Sequence, residues 1–359
     1  MQRIFYIIAL VIGLLTVTNC QKKEEIPISH PDNNYSVTLI KDSITTLEGV
    51  SAGLPYGSTS GHWADSGKRW TEQVGTPIGA DIVYYSNYED VFYHLKAKFP
   101  VEYMKEMSHR AYFDMEPEYF EGELPKYIDI RKDPHYESLY NHLVITCRVF
   151  EYLIFGFAPK GMVVVWIGYG SIRIEVGRYQ AELVTDEKLV KQYEDRLIAM
   201  YAITRERKRE IYGRRWANAS SELWDNYRKR YKLRTVISSA HKGFRLFSND
   251  IEYFNGETET LLRPYVLSTE AKERAIPEYL YFIFETGKGA SYHTKVFFDW
   301  ERLHTILEKD PKGEHTLEIK LNATSDDLEA FLDGELIKTE GQYIGKNDKG
   351  RYVFRESYK

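Results

Sequence analysis

Phe150–Val176 reads FEYLIFGFAPKGMVVVWIGYGSIRIEV, and this stretch decides the fold class. Phe150–Phe157 is mostly apolar and aromatic and reads as a strand. Ala158-Pro159-Lys160-Gly161 puts Pro and Gly where a tight turn needs them. Met162–Ile167 is an unbroken apolar run, which implies a strand buried on both faces. Ile172–Val176 is a third strand, so the three form an antiparallel meander.

Working outward, Tyr35–Ile40 alternates as a first strand, and residues 49–79 form a glycine-rich loop or set of hairpins holding Trp63 and Trp70. Asp81–Ser86 is a strand. Tyr88 opens a pattern with Val91, Phe92, Leu95 and Phe99 at helix-face spacing, stopped by Pro100. A second helix runs from Val101 with Tyr103, Met104 and Met107, followed by an acidic, turn-rich segment over 114–125. Beyond the meander, Thr185 caps a helix with the stripe Leu189, Tyr193, Leu197 and Met200. Arg205–Arg234 then carries eleven Lys/Arg against four acidic residues, with Trp216, Trp224 and Tyr227 interleaved. The remainder is mostly strands: Thr235–Ser238, Phe244–Phe254, Tyr279–Phe284, Lys295–Asp299, Thr316–Leu321 and Leu328–Leu332, with a short helix around Leu303 and Leu307. The expected fold is α+β: antiparallel β-sheets with helices packed on one side, in two modules. The first covers residues 35–234 and the second, β-rich module covers 235–359.

The bulk numbers fit an ordinary globular chain. Of 359 residues, 43% are hydrophobic and 28% charged, which excludes a disordered or fibrous chain. A net charge of −5 argues against nucleic acid as partner, because phosphate neutralisation needs a basic surface. Aromatic content is the anomaly, with 29 tyrosines that suit sheet faces and binding surfaces alike.

The N-terminus reads as an export signal. Arg3 precedes an uncharged apolar run, Ile4–Val17, which is shorter than the about 20 residues a membrane-spanning helix needs. The run ends at Val17-Thr18-Asn19-Cys20, which resembles the lipobox of bacterial lipoproteins. Asn19 departs from the small residue usual before the cysteine. Residues 1–19 are therefore expected to be a signal peptide, Cys20 the lipidated first residue, and 20–34 a tether. Gln21-Lys22-Lys23-Glu24-Glu25 resembles the short charged signal that sends Bacteroidetes lipoproteins to the cell surface. The expected location is the outer membrane, through acyl chains on Cys20. Cys147, the other cysteine, lies in an apolar run and reads as a buried thiol.

Three stretches resemble a known family. They are Thr76-Pro77 through Tyr84-Tyr85-Ser86 with Glu89–Tyr93 and Phe99-Pro100; Phe155–Trp166; and Ile174–Ala181 with its Glu175-Val176-Gly177-Arg178 core. Trp224-Asp225-Asn226-Tyr227 closes the match. The chain resembles bacterial lipoproteins of domain-of-unknown-function family 2931, over roughly 50–232, with a C-terminal extension of Bacteroidetes type. The resemblance implies a lipoprotein and names no activity. Some relatives resemble immunity lipoproteins paired with secreted antibacterial lipase toxins.

Chemical motifs are few. Gly57-Ser58-Thr59-Ser60-Gly61 puts Thr59 where a nucleophile elbow needs Ser. Neither a phosphate-binding loop nor a dinucleotide fingerprint occurs, and the ten His form no zinc-ligand pattern. No catalytic residue, cofactor or metal is expected. The candidate binding residues are Trp63 and Trp70 in the long loop, Glu175 and Arg178 in the third meander strand, and Trp216 and Trp224 in the basic stretch. The expected function is a non-enzymatic binding or interaction module anchored by lipid to the envelope. Its partner would be a glycan or a protein, the latter including a toxin held in an immunity complex; hydrolysis ranks last.

Overall fold

The computed structural model describes residues 35–47, 49–51, 68–70, 76–108, 110–111, 128–129, 152–169, 172–213, 220–262, 265–267, 269–287 and 290–346. Among the described residues the chain opens with β1 (Val37–Thr46), β2 (Gly49–Ser51), β3 (Lys68–Trp70), β4 (Pro77–Ser86), β5 (Val91–Lys98) and helix α1 (Val101–Ser108). Two short strands, β6 (Arg110–Ala111) and β7 (Ile128–Asp129), pair with each other. The meander follows as β8 (Tyr152–Phe157), β9 (Met162–Tyr169) and β10 (Ile172–Gln180), then β11 (Glu182–Leu183), α2 (Glu187–Tyr201), α3 (Arg205–Tyr212) and α4 (Glu222–Tyr227). The rest comprises β12 (Tyr231–Ser239), β13 (Arg245–Tyr253), β14 (Thr258–Leu262), β15 (Lys272–Arg274), β16 (Pro277–Glu285), β17 (Ser291–Phe297), α5 (Trp300–Leu307), β18 (Glu314–Leu321), β19 (Leu328–Leu332), β20 (Glu335–Ile337) and β21 (Gly341–Lys346). The fold is α+β with several sheets.

The strands form two five-stranded sheets, β11-β5-β4-β1-β2 and β15-β12-β18-β19-β20, and a nine-stranded sheet ordered β21-β17-β16-β13-β14-β10-β9-β8-β3. Among the described pairings only β12–β18 is parallel. The long sheet draws strands from both halves of the chain, joined where Arg173 of β10 faces Thr258 of β14.

Burial explains the strand sequences. Tyr84 and Leu95 of the first sheet pack against Phe155, Val163 and Val165 of the long one, with Met104 and Met107 of α1. The other face of β4–β5 meets α2 through Val83, Tyr85, Phe92 and Leu197. The outer face of β8–β9 places Ile154, Val164 and Trp166 against Trp224 of α4. Met162–Ile167 is thus buried on both faces, as its unbroken apolar run implied. A second core joins Leu280, Phe282 and Val296 to Leu317 and Ile319 under Leu303 and Leu307 of α5. Tyr227 and Tyr231 belong to that core, although both precede residue 235.

Three local expectations are corrected. The helix over Tyr88–Phe99 is instead a turn and the strand β5, paired with β4 from Ser86↔Val91 to Gly79↔Lys98. Tyr93, Leu95 and Ala97 point to one core and Phe92 to the other, and a doubly buried strand can mimic helical spacing. The cap of α2 is Asp186, not Thr185: its carboxylate accepts from the Lys188 and Leu189 N–H groups at 2.8 and 3.1 Å. The buried stripe of α2 is Val190, Tyr193 and Leu197, while Leu189 and Met200 are exposed at 40% and 42%.

Burial of tyrosine has a pH consequence. Burial pushes the phenols of Tyr35, Tyr84 and Tyr253 well above 10, with nearby carboxylates adding to it. A phenol whose pKa is raised by folding contributes stability in full below about pH 10, and loses it as the pH rises towards the folded value. Urea midpoints should therefore hold level to about pH 9 and fall steeply above about pH 10, by about 1.4 kcal/mol per pH unit for each titrating phenol. A flat profile to pH 11 would contradict this. Tyr84 is a special case, because its buried hydroxyl has no hydrogen-bond partner among the described residues. Tyr84→Phe should leave stability unchanged or raise it by up to about 1 kcal/mol, read from the urea midpoint.

Candidate binding face on the nine-stranded sheet

The strand register lays one face of the long sheet out in rows. Leu280, Phe282 and Val296 point into the second core, so their alternate neighbours point away from it. One row runs Thr260, Asp250, Tyr281, Lys295 and Tyr343 across five strands. The row beside it runs Arg173, Thr258, Glu252, Tyr279, Phe297 and Gly341. On the other side stand Ser248, Ile283, His293 and Gly345.

Aromatic rings and one cation occupy the centre of this face. The Lys295 Nζ lies 5.4 Å from the Tyr279 ring centroid and 5.7 Å from that of Tyr281. Tyr343, on the edge strand β21, is 56% exposed and packs its ring 5.5 Å from that of His293. A Cβ at Gly345 would collide with the Tyr343 ring, so the glycine lets that ring lie down across the strand.

Towards β10 the face becomes charged. Arg173 donates to Glu252 at 2.7 Å and to the Gly256 carbonyl at 2.9 Å, and both side chains of the ion pair are buried. Burial raises the Asp250 carboxyl, opposed by a hydrogen bond with Thr260. Burial, followed by the Glu252 carboxylate, pushes the Tyr279 phenol up. Beyond Arg173 lies a cleft of about 210 Å³ lined by Arg230, Glu257, Glu259, Lys272 and Arg274. Its charges satisfy one another: Arg230–Glu257 and Arg274–Glu259 each stand at 2.8 Å. Burial acts to raise Glu259, but Arg274 and Lys272 outweigh it and hold the carboxyl at about 2.

Glu175, Arg178 and Trp224 come together at α4, without Glu175 pairing to Arg178. Arg178 forks onto Asp225 at 2.9 and 3.2 Å, and Glu175 accepts from Arg228 at 2.7 and 3.0 Å. Trp224 is 4% exposed and packs beside Trp166, so its ring is core and offers no face to a partner. The short helix turns Trp224 into one core and Tyr227 into the next. These ion pairs pin it to β10. Trp70 stands in β3, opposite Leu153. Cys20, Trp63, Cys147, Trp216, the tether and the 114–125 segment lie outside the described residues.

A second polar cluster gathers the turn between β4 and β5 with the meander. The buried Glu89 carboxylate accepts from the Tyr35 hydroxyl, from the Tyr93 hydroxyl at 3.2 Å and from the Lys160 N–H at 3.2 Å. Asp90 accepts from the Tyr85 hydroxyl and from the Nε atoms of Arg205 and Arg209. Lys160 adopts φ +61° and Gly161 φ +75°, where a Cβ on Gly161 would strike the Ala181 carbonyl oxygen. The strand pairs flanking Glu89 and the Ala-Pro-Lys-Gly turn are thus locked to each other.

A family model described as a protein of unknown function, DUF2931, matches residues 21–236, more than half of the chain. The chain belongs to the DUF2931 family. No curated protein and no solved structure matches it. The family region holds the Glu89 cluster, the meander and α4, together with Arg173 at the rim of the aromatic face. Asp250, Tyr279, Tyr281, Lys295 and Tyr343 all lie beyond residue 236, so the C-terminal extension carries most of that face. Among the described residues no group of His, Cys, Asp and Glu could hold a metal ion. No helix there is long and apolar enough to cross a membrane.

Sequence reasoning located β10, β13, β16 and the end of β17 but missed β14 and the outward residues of this face. The alternation Tyr279-x-Tyr281 and His293-x-Lys295-x-Phe297 is the available signal. It is ambiguous because Leu280 and Phe282, on the opposite face, are equally apolar. Strand β21 was not foreseen.

Proposed function

We propose that this member of the DUF2931 family is a lipid-anchored envelope protein that works as a binding module, using the outward face of its nine-stranded sheet. The observation that carries the binding reading is the row Tyr281–Lys295–Tyr343: a cation resting on rings, beside an exposed ring laid flat on an edge strand. Flat aromatic surface with polar edges costs little entropy to present and favours recognition. The Trp–Arg cluster at α4 is structural: Trp224 is buried and the charges around it pair with one another. The anchor rests on the apolar run Ile4–Val17 and on Cys20. Metabolic labelling with palmitate tests it: Cys20→Ala should lose the label, and a labelled variant would contradict it.

Affinity capture tests the binding face. The full-length chain in detergent is offered envelope and secreted fractions, with retained polysaccharide and protein both scored. Wild type should retain one ligand class that Tyr343→Ala loses. Equal retention by both, or none by either, would count against the proposal.

A further inference from the structure

We propose that the face around Lys295 takes an acidic polysaccharide, with a uronate-type carboxylate on the Lys295 ammonium and sugar rings stacked on Tyr343. This rests on the reading of the protein as a binding module. Charge complementarity carries it. Lys295 is exposed, and among the described residues no carboxylate stands within ion-pair distance of its Nζ. The two nearest carboxylates in the rows are otherwise engaged: Glu252 is held by Arg173, and Asp250 lies beyond Tyr281, bonded to Thr260. The ammonium rests instead on the Tyr279 and Tyr281 rings, which orient a cation without neutralising it. A ligand anion would complete that site.

The surroundings select the kind of anion. Tyr281, Lys295 and Tyr343 span two strand spacings, about 10 Å, as a shallow platform with rings at both ends. Gly341 and Gly345 leave no side chain beside Tyr343 on that face of β21. A sugar has apolar C–H faces for such rings and hydroxyl edges for the polar groups alongside. Asp250, partly exposed beside Tyr281, can accept from sugar hydroxyls and disfavours a densely charged phosphate polymer. A uronate chain combines spaced single charges with those hydroxyls.

Calorimetry on the full-length chain in detergent tests this with three probes: oligogalacturonate, the neutral galactan oligomer of equal length, and polyglutamate. Oligogalacturonate should bind at least tenfold more tightly than either alternative, with affinity falling as salt rises. Lys295→Met, which keeps the packing on both rings, should weaken it at least tenfold, and Lys191→Met on α2 should leave it unchanged. Tyr343→Ala should abolish it, and urea midpoints of all variants should match wild type. Equal binding of the neutral oligomer, preference for polyglutamate, unchanged affinity in Lys295→Met, or no glycan binding would overturn the proposal. Loss of a different captured ligand in Tyr343→Ala would then leave the binding-module reading standing without the acidic glycan.

Discussion

Asp90→Ala should cost the protein about 3–5 kcal/mol, a large share of the roughly 5–15 kcal/mol that holds a typical domain together. The Asp90 side chain is fully buried. Its carboxylate receives Arg205 Nε at 2.6 Å, Arg209 Nε at 2.7 Å and the Tyr85 hydroxyl at 2.7 Å, and its backbone carbonyl receives a second Arg205 nitrogen. Removing the carboxylate leaves Arg205 partly buried beside the Phe92 ring, with Glu194 as its remaining counter-ion among the described residues. It also unfastens α3 from the turn between β4 and β5. Backbone strain adds to the loss, because Asp90 adopts φ +59°, which Asn adopts more readily than Ala. Asp90→Asn separates the two causes by keeping the shape and the φ while removing the charge. It should still cost about 2–3 kcal/mol by urea unfolding at pH 7. A loss under about 1 kcal/mol in both variants would show that helix α3 holds without this charge cluster.

Trp166→Ala is expected to be comparably severe, at about 3–5 kcal/mol. The indole is wholly buried against Ile154, Val164 and Trp224. Its Nε1 donates to the Asn255 carbonyl at 3.1 Å, a bond between the family meander and the turn after β13. That turn is itself tied, since Asn255 Nδ2 reaches Glu257 at 2.9 Å and Glu257 pairs with Arg230. Trp166→Phe keeps most of the apolar volume but leaves the Asn255 carbonyl unpaired, and should cost about 1–3 kcal/mol. Thermal unfolding of the two variants checks both values. Near-equal midpoints for Phe and Ala would mean that the hydrogen bond, rather than the packing, dominates at this position.

The parts of the fold legible in the sequence were those with local signals. The meander showed itself through the Pro159–Gly161 turn and the doubly buried β9. Beyond residue 235, β12, β13, β16, β18 and β19 announced themselves by their apolar runs. The strand β5 did not, because its residues divide between two cores and so lose the alternation that marks a half-buried strand. Trp224 reads in the sequence as a candidate binding residue in a basic stretch, but a two-turn helix wedged between two cores spends its aromatic residues on both. Glu175 and Arg178 read in the sequence as candidate binding residues; each is engaged in an ion pair, and the partners, Arg228 and Asp225, lie 53 and 47 residues away. The candidate face was the least legible element. Its rows join residues from 173 to 343, and only the register says which of two apolar faces looks outward.

This division of labour has a consequence for function. The region shared with the family supplies the scaffold and the polar locks, and the extension adds the rings and Lys295. Ligand preference should therefore follow the extension. The most direct check is amine footprinting of the full-length chain with and without a retained envelope fraction. Lys295 acylation should fall several-fold when the fraction is present, while Lys191 on α2 and Lys309 after α5 stay equally reactive. Unchanged Lys295 reactivity in a chain that has demonstrably retained its ligand would place binding elsewhere and contradict the assignment of this face.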